Sequence, residues 1–269
     1  MTDDLIFLGD LARQAGAAIL EIYGAEFTVS EKADHSPLTL ADIRSHDILF
    51  QGLQKQFPDI PILSEEGKLV PFLARRSWPR FWLVDPLDGT KEFVKRNGEF
   101  TVNIALVEGE LPILGVIYLP VGDRLYLADI HRGCWEIAEN HERSLRIEEP
   151  AADQPVRVAT SRSHPSPDLN RLLTRLPRHQ TIVKGSAAKF CAVASGEADF
   201  YPRLGPTSEW DTAAGQAIVT AAGGVMVDTE GRPFRYNKAD LVNGNFFVAP
   251  SRRWLERVGI LPPHVLETQ

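Results

Sequence analysis

The chain has 269 residues, and 29 Lys+Arg against 36 Asp+Glu leave a formal net charge of −7. With 43% hydrophobic and 24% charged residues it is globular, not disordered or fibrous, and its acidic balance argues against a sequence-independent grip on nucleic-acid polymers. Cys134 and Cys191 lack any metal-ligand spacing, which excludes a disulfide framework and a structural zinc site and points to a reducing compartment.

Leu5, Leu8, Ala12, Ala15, Ile19 and Ile22 recur at helical spacing and predict an amphipathic helix over residues 3–23. A second helix is expected after Pro37, with Ile43, Ile48, Leu49, Leu53 and Phe57 on one side and Pro58 closing it. The period then changes. Short β-type runs at 60–63, 81–84, 101–107, 111–119, 125–128 and 134–137, separated by Gly-, Pro- and Asp-containing breaks, suit antiparallel hairpins. After about residue 150 the pattern alternates. Strands are expected at 156–159, 181–183, 199–203 and 225–227, and helices at 167–176, 187–195 and 211–222, which argues for a more parallel α/β layer. The stretch 148–153 is the expected seam. The reading is therefore two α/β halves, 1–150 and 151–269, sharing one cleft. No apolar run approaches the roughly 20 residues of a transmembrane helix, and residues 1–4 are acidic where a signal peptide would be basic. A cytoplasmic protein is expected. Arg75, Arg76 and Arg80 around Trp78 read as a solvated basic spot, and both cysteines as buried, inert thiols.

Three short segments carry chemistry: Ser64-Glu65-Glu66-Gly67, Asp85-Pro86-Leu87-Asp88-Gly89-Thr90 and Trp210-Asp211-Thr212-Ala213-Ala214-Gly215. Taken singly each has an ordinary explanation as a turn, a loop or a helix cap. Together they place carboxylates at strand ends and a helix start, along one edge of a sheet, where α/β proteins build sites. The turn at Asp85 and Asp88 can direct two carboxylates and the Leu87 carbonyl into one pocket. An all-oxygen set of this kind suits Mg²⁺. Gly89 and Thr90, at an expected helix start, offer backbone N–H groups to a phosphate.

These segments resemble the signatures of the inositol monophosphatase-like, lithium-sensitive, Mg²⁺-dependent phosphatases. The longer runs 81–93 and 95–106, with Asp34-His35-Ser36-Pro37-Leu38-Thr39-Leu40-Ala41-Asp42, are similar to the bacterial 3′(2′),5′-bisphosphate nucleotidase branch of the CysQ type. The resemblance spans about residues 5 to 250. It implies a layered α/β/α/β/α sandwich of the inositol monophosphatase and fructose bisphosphatase type. It also implies that Glu65, Asp85 and the Leu87 carbonyl hold one Mg²⁺, that Asp85, Asp88 and Asp211 hold a second, and that a third, weaker ion can sit beside Glu65. Thr90 would orient the attacking water, with Asp42 as its carboxylate partner; a surface acid near the helix dipole is the alternative for Asp42.

The same branch implies substrate contacts in the C-terminal half. Gly185-Ser186-Ala187-Ala188-Lys189 stands where the branch shows Gly-Ser-Ser-x-Lys, so Ser186 and Lys189 would bind a second phosphate, although the second Ser is Ala187 here. Ser161 and His164 would lie along the nucleoside, and Arg203 would contact a phosphate or the base. Glu65, Leu87, Asp88, Gly89, Thr90 and Asp211 would complete the substrate site. The implied reaction is hydrolysis of the 3′-phosphate of adenosine 3′,5′-bisphosphate, with 3′-phosphoadenylyl sulfate as a second substrate. In that branch this clears a by-product of sulfate assimilation, and peripheral attachment to the cytoplasmic face of the inner membrane is sometimes assigned; no amphipathic anchor is evident here. Two other readings stand beside it: an inositol or sugar monophosphatase with the same metal chemistry, and a non-catalytic nucleotide sensor.

Overall fold

The computed structural model describes residues 1–31, 37–139, 141–162, 167–176 and 178–263. Helices Asp3–Tyr23 and Leu40–Gln56 open the chain, each beginning where a threonine hydroxyl takes an orphan backbone N–H: Thr2 from Leu5 and Thr39 from Ala41. Their apolar faces, among them Leu5, Leu8, Ala12, Leu49 and Leu53, are buried together against a seven-stranded sheet.

That sheet runs in chain order through Ile62–Ser64, Arg80–Asp88, Thr101–Glu108, Leu111–Leu119, Arg124–Asp129, Gly133–Ala138 and His141–Leu145. Its first pair is parallel and the remaining pairs are antiparallel. Strand alternation sends Trp82, Val84, Ile104 and Val116 toward the two N-terminal helices. It sends Phe81, Leu83, Ala105 and Ile117 the other way, into a cluster shared with Phe190, Ala213 and Ile218. Both faces are covered. The last strand, His-Glu-Arg-Ser-Leu, has four exposed positions out of five and no apolar alternation, so the hydrophobic pattern did not reveal it.

Helices Ala188–Ala194 and Glu209–Ala221 form the middle layer. The second of these lies directly on the sheet at Gly115, where a Cβ would fall 2.6 Å from the Ala214 carbonyl oxygen and 2.7 Å from Ala217 Cβ. Beyond them lies a second β layer. Val156–Ser161 pairs in parallel with His179–Lys184, and a parallel bridge between Val158 and Phe200 leads into the antiparallel trio Tyr201–Arg203, Phe246–Ala249 and Val225–Asp228. The expected parallel character thus holds for the first pair and for the bridge to Phe200, and gives way in the trio. Phe246–Ala249, a wholly buried four-residue apolar run, was not placed by periodicity and turns its neighbours antiparallel. Helices Pro167–Leu173 and Arg252–Arg257 cover the outside through Leu172, Leu173, Trp254 and Leu255. The result is the layered α/β/α/β/α sandwich. The 1–150 and 151–269 segments contribute to one hydrophobic cluster across its middle. Among the described residues no helix is long and apolar enough to cross a membrane.

Candidate active site

The acidic residues meet because two neighbouring strands run the same way. In the parallel pair, Ser64 stands beside Val84, so the next residues, Glu65 and Asp85, emerge together at one sheet edge. Glu65 N–H closes this corner by donating to Val84 O at 3.1 Å. The antiparallel partner of Arg80–Asp88 keeps register to Asp85↔Asn103 and then shifts to Asp88↔Thr101. Pro86 has no N–H to continue the ladder, so the chain bulges there. Ser45 Oγ fixes the bulge by donating to Pro86 O at 2.6 Å, and Leu87 N–H donates to Asp85 Oδ1 at 3.1 Å.

Asp211 arrives from the other side, in the first turn of Glu209–Ala221, where it accepts from Ser208 N–H at 2.7 Å. Carboxylate oxygens of Glu65, Asp85 and Asp211 all lie within 4.8 Å of one another. Asp88 lines the same cavity of about 380 Å³, with Leu87, Gly89 and Thr90. Asp88 Oδ2 faces Thr101 Oγ1 and Asn103 Nδ2, each at 3.4 Å. Burial first, and then the neighbouring acids, hold these carboxyls far above their ordinary range. Asp85 is raised well above it, Asp88 is pushed up to about 6 despite nearby Lys189, and Asp211 to about 8. Acids so crowded call for cations, and an oxygen-rich donor set with no His or Cys among the described residues of the cavity lining fits a small, hard divalent ion.

Asp42 does not line the cavity. It lies behind Thr90, 1% exposed, and is therefore not the surface acid of the alternative reading. Its Oδ2 accepts from Thr39 N–H and Thr39 Oγ1, each at 2.7 Å, which leaves Oδ1 to accept from Thr90 Oγ1 at 3.0 Å. Gly89, at φ 94°, occupies the left-handed region just before the short helix Thr90–Val94. A Cβ at Gly89 would meet Ser186 Oγ at 2.0 Å and the Glu99 carbonyl oxygen at 3.2 Å, so this left-handed position is suited to glycine on two counts.

A model of the inositol monophosphatase family matches residues 2–260. The chain belongs to that family. Among curated relatives, the 3′(2′),5′-bisphosphate nucleotidase CysQ of Escherichia coli (strain K12) is 46% identical over 242 residues, covering 89% of this chain and 96% of that protein. The protein of the same name from Buchnera aphidicola is 43% identical over 244 residues, covering 89% and 91%. The crystal structure of CysQ from Bacteroides thetaiotaomicron superposes with a TM-score of 0.80 at 42% identity, covering 91% of this chain and 96% of that one. The Thermotoga maritima IMPase superposes at 0.79 with 26% identity, covering 96% of each chain.

For this family member, the remaining expected residues fall as follows. Ser161, Ser186, Lys189 and Arg203 line the cavity. His164, and Asp34 to Ser36 of the N-terminal motif, lie outside the described residues. The Ser186 hydroxyl is directed at Asp88 O (2.9 Å) and Glu99 O (2.7 Å). Lys189 is buried, with Nζ donating to Ser186 O at 2.6 Å and lying 5.5 Å from the Tyr201 ring centroid; burial lowers its pKa to about 8. Arg203 donates to Pro206 O at 2.9 Å, while its buried Nε has no partner among the described residues. The lining also includes Glu92, Phe190, Tyr201, Thr207, Ser208 and Val242, none of them singled out from the sequence. Glu92 and Phe190 come from the helices Thr90–Val94 and Ala188–Ala194 and the others from short strands, so only the fold brings them together. Trp210 packs against the core cluster beside Asp211. Arg75 is corrected: it is buried, 2% exposed, and bound to Asn237 and Lys238, not part of a solvated spot.

Proposed function

We propose that this chain is a Mg²⁺-dependent phosphatase that hydrolyses the 3′-phosphate of adenosine 3′,5′-bisphosphate to AMP and inorganic phosphate, with 3′-phosphoadenylyl sulfate as a second substrate. The substrate assignment is supported by the curated relatives named above. The chemistry rests on one observation, the Thr90 hydroxyl hydrogen-bonded to buried Asp42 at the rim of a carboxylate cluster.

Glu65, Asp85, Asp88, Asp211 and the Leu87 carbonyl would hold two cations, with room for a third beside Glu65. Bound there, the ions offset the charge of the phosphate and acidify water. Thr90 gives its proton to Asp42 Oδ1, so its own oxygen lone pairs are free to accept from a water in the cavity. As that water attacks phosphorus, Thr90 takes its proton while Asp42 takes that of Thr90, and the ribose 3′ oxygen leaves with the bonding electron pair and takes a proton from a second water to give the 3′ hydroxyl of AMP. Arg203, whose Nε has no partner among the described residues, and Lys189, close to Asp88, bring positive charge to the wall where a second phosphate would lie.

The test is phosphate release from adenosine 3′,5′-bisphosphate and inositol 1-phosphate in parallel, with Mg²⁺, with chelator and with Li⁺. Strong preference for the nucleotide, loss in chelator and inhibition by Li⁺ are expected. Preference for the inositol ester would keep the metal chemistry and overturn the nucleotide assignment. Activity that survives excess chelator would sink the mechanism.

A further inference from the structure

Glu209 is the first residue of the helix that carries Asp211, and it is fully buried at 0% exposure. Its carboxylate accepts from Asn237 N–H (2.8 Å), Lys238 N–H (2.9 Å) and Lys238 Nζ (2.6 Å). Lys238 Nζ continues to Asn243 Oδ1 at 3.0 Å. Asn243 Nδ2 then returns to Ser208 O (2.7 Å) and Thr212 Oγ1 (3.0 Å). The circuit thus ends on the two residues that flank Glu209, Trp210 and Asp211. One of them, Ser208, supplies the N–H that holds Asp211 Oδ2. Beneath it, Arg75 grips Asn237 Oδ1 at 2.8 Å and Lys238 O at 2.6 Å. Ser208, Asp211 and Thr212 all face the cavity, whereas Glu209, Lys238 and Arg75 do not line it.

A buried ion pair contributes little net stability compared with well-packed apolar residues of the same volume. What a closed circuit of directional bonds does supply is a single geometry. We infer that Glu209, through Lys238 and Asn243, is a positioning residue for the Asp211 carboxylate, fixing the start of its helix so that Asp211 meets Glu65 and Asp85. This rests on the reading of Asp211 as a cation ligand in the proposed phosphatase.

The experiment compares the wild type with E209Q, K238M and K238R. Mn²⁺ alone is titrated by electron paramagnetic resonance, kcat and KM are measured with adenosine 3′,5′-bisphosphate, and the melting temperature is taken in chelator. Loss of a partner behind a metal ligand typically weakens binding 10- to 100-fold, so Mn²⁺ affinity in E209Q and K238M should fall by about 10-fold or more. kcat should fall with it, KM should stay within about twofold, and K238R should recover most of the loss. A purely structural role would lower the melting temperature and leave the Mn²⁺ affinity of the folded protein unchanged, and that result overturns the inference. Should E209Q fail to fold, K238M decides alone, since its side chain is 34% exposed and its removal leaves no large void. A wild type that binds no Mn²⁺ would instead overturn the metal reading itself.

Discussion

At the helix starts that carry Asp42 and Asp211 the same device recurs. An aspartate takes the backbone N–H of the residue before the helix, Asp42 from Thr39 and Asp211 from Ser208, each at 2.7 Å. Each such acid has a second oxygen to use elsewhere, and Asp42 spends its own on Thr90. In D42N, the amide oxygen can keep the cap while the NH₂ faces Thr90, which can then no longer donate to residue 42 and keeps only the Leu87 carbonyl, at 3.4 Å, as acceptor. Steady-state kinetics should show kcat lowered about 100-fold or more with KM little changed. Unchanged kcat would remove Asp42 from the reaction. A second residue-scale prediction concerns Glu136, remote from the cavity. Burial alone would raise its carboxyl, but hydrogen bonds from Tyr126 (2.7 Å), Arg124 (2.6 Å) and Arg143 (2.6 Å) outweigh burial and hold it below its ordinary value. A lowered folded-state pKa gives stability that is present above the unfolded value and is lost as pH falls through the folded one. Denaturation followed from pH 7 toward pH 3 should therefore show a shallower acid limb in E136Q than in the wild type. At pH 7 the variant should be less stable by about 1–3 kcal/mol, since a charged acceptor is gone. Parallel acid limbs would contradict this.

At the scale of elements, the helix Glu209–Ala221 is placed by the absence of a side chain at Gly115, whose Cβ would lie 2.6 Å from a backbone oxygen. A backbone atom cannot rotate away, so G115A must push helix and sheet apart. Urea unfolding should show a loss of about 1–3 kcal/mol, and Mn²⁺ affinity should fall as well because Asp211 moves with the helix. Wild-type stability in G115A would mean that this contact is looser than the geometry requires. The elements differ in how far the sequence revealed them. Regular alternation and helical spacing marked the long helix Asp3–Tyr23 and the central strands, whose apolar residues face defined layers. His141–Leu145 and Phe246–Ala249 escaped because one is almost entirely polar and the other wholly apolar, so neither has a period. The candidate site behaved likewise. Asp85, Asp88 and Asp211 sit in contiguous segments and could be read directly. Glu209, Lys238 and Asn243 escaped because their meaning lies in hydrogen bonds such as Lys238 to Glu209 and Asn243 to Ser208, 29 and 35 positions apart, which no local pattern records.

Across the whole molecule, the carboxylates come from both sides of the chain's midpoint: Glu65, Asp85 and Asp88 from the large sheet, Asp211 from the middle helix. A cation that joins them stitches those layers together and binds the folded chain alone. Calorimetry should therefore show Mg²⁺ raising the melting temperature, by an amount equivalent to about 2.7 kcal/mol when free ion exceeds Kd about 100-fold. D211N should abolish most of that gain, and a gain unaffected by D211N would place the ion elsewhere. The parallel pairing of Ile62–Ser64 with Arg80–Asp88 has a further consequence. The ladder of backbone bonds between these two strands sets where Glu65 stands relative to Asp85. Slippage by a single rung would turn Glu65, and buried Leu63 with it, toward the opposite face of the sheet while leaving strand content nearly intact. Such a misfolded species would pass as native by circular dichroism and bind no ion. A preparation's active fraction is then counted by titrating its metal sites, not by its spectrum.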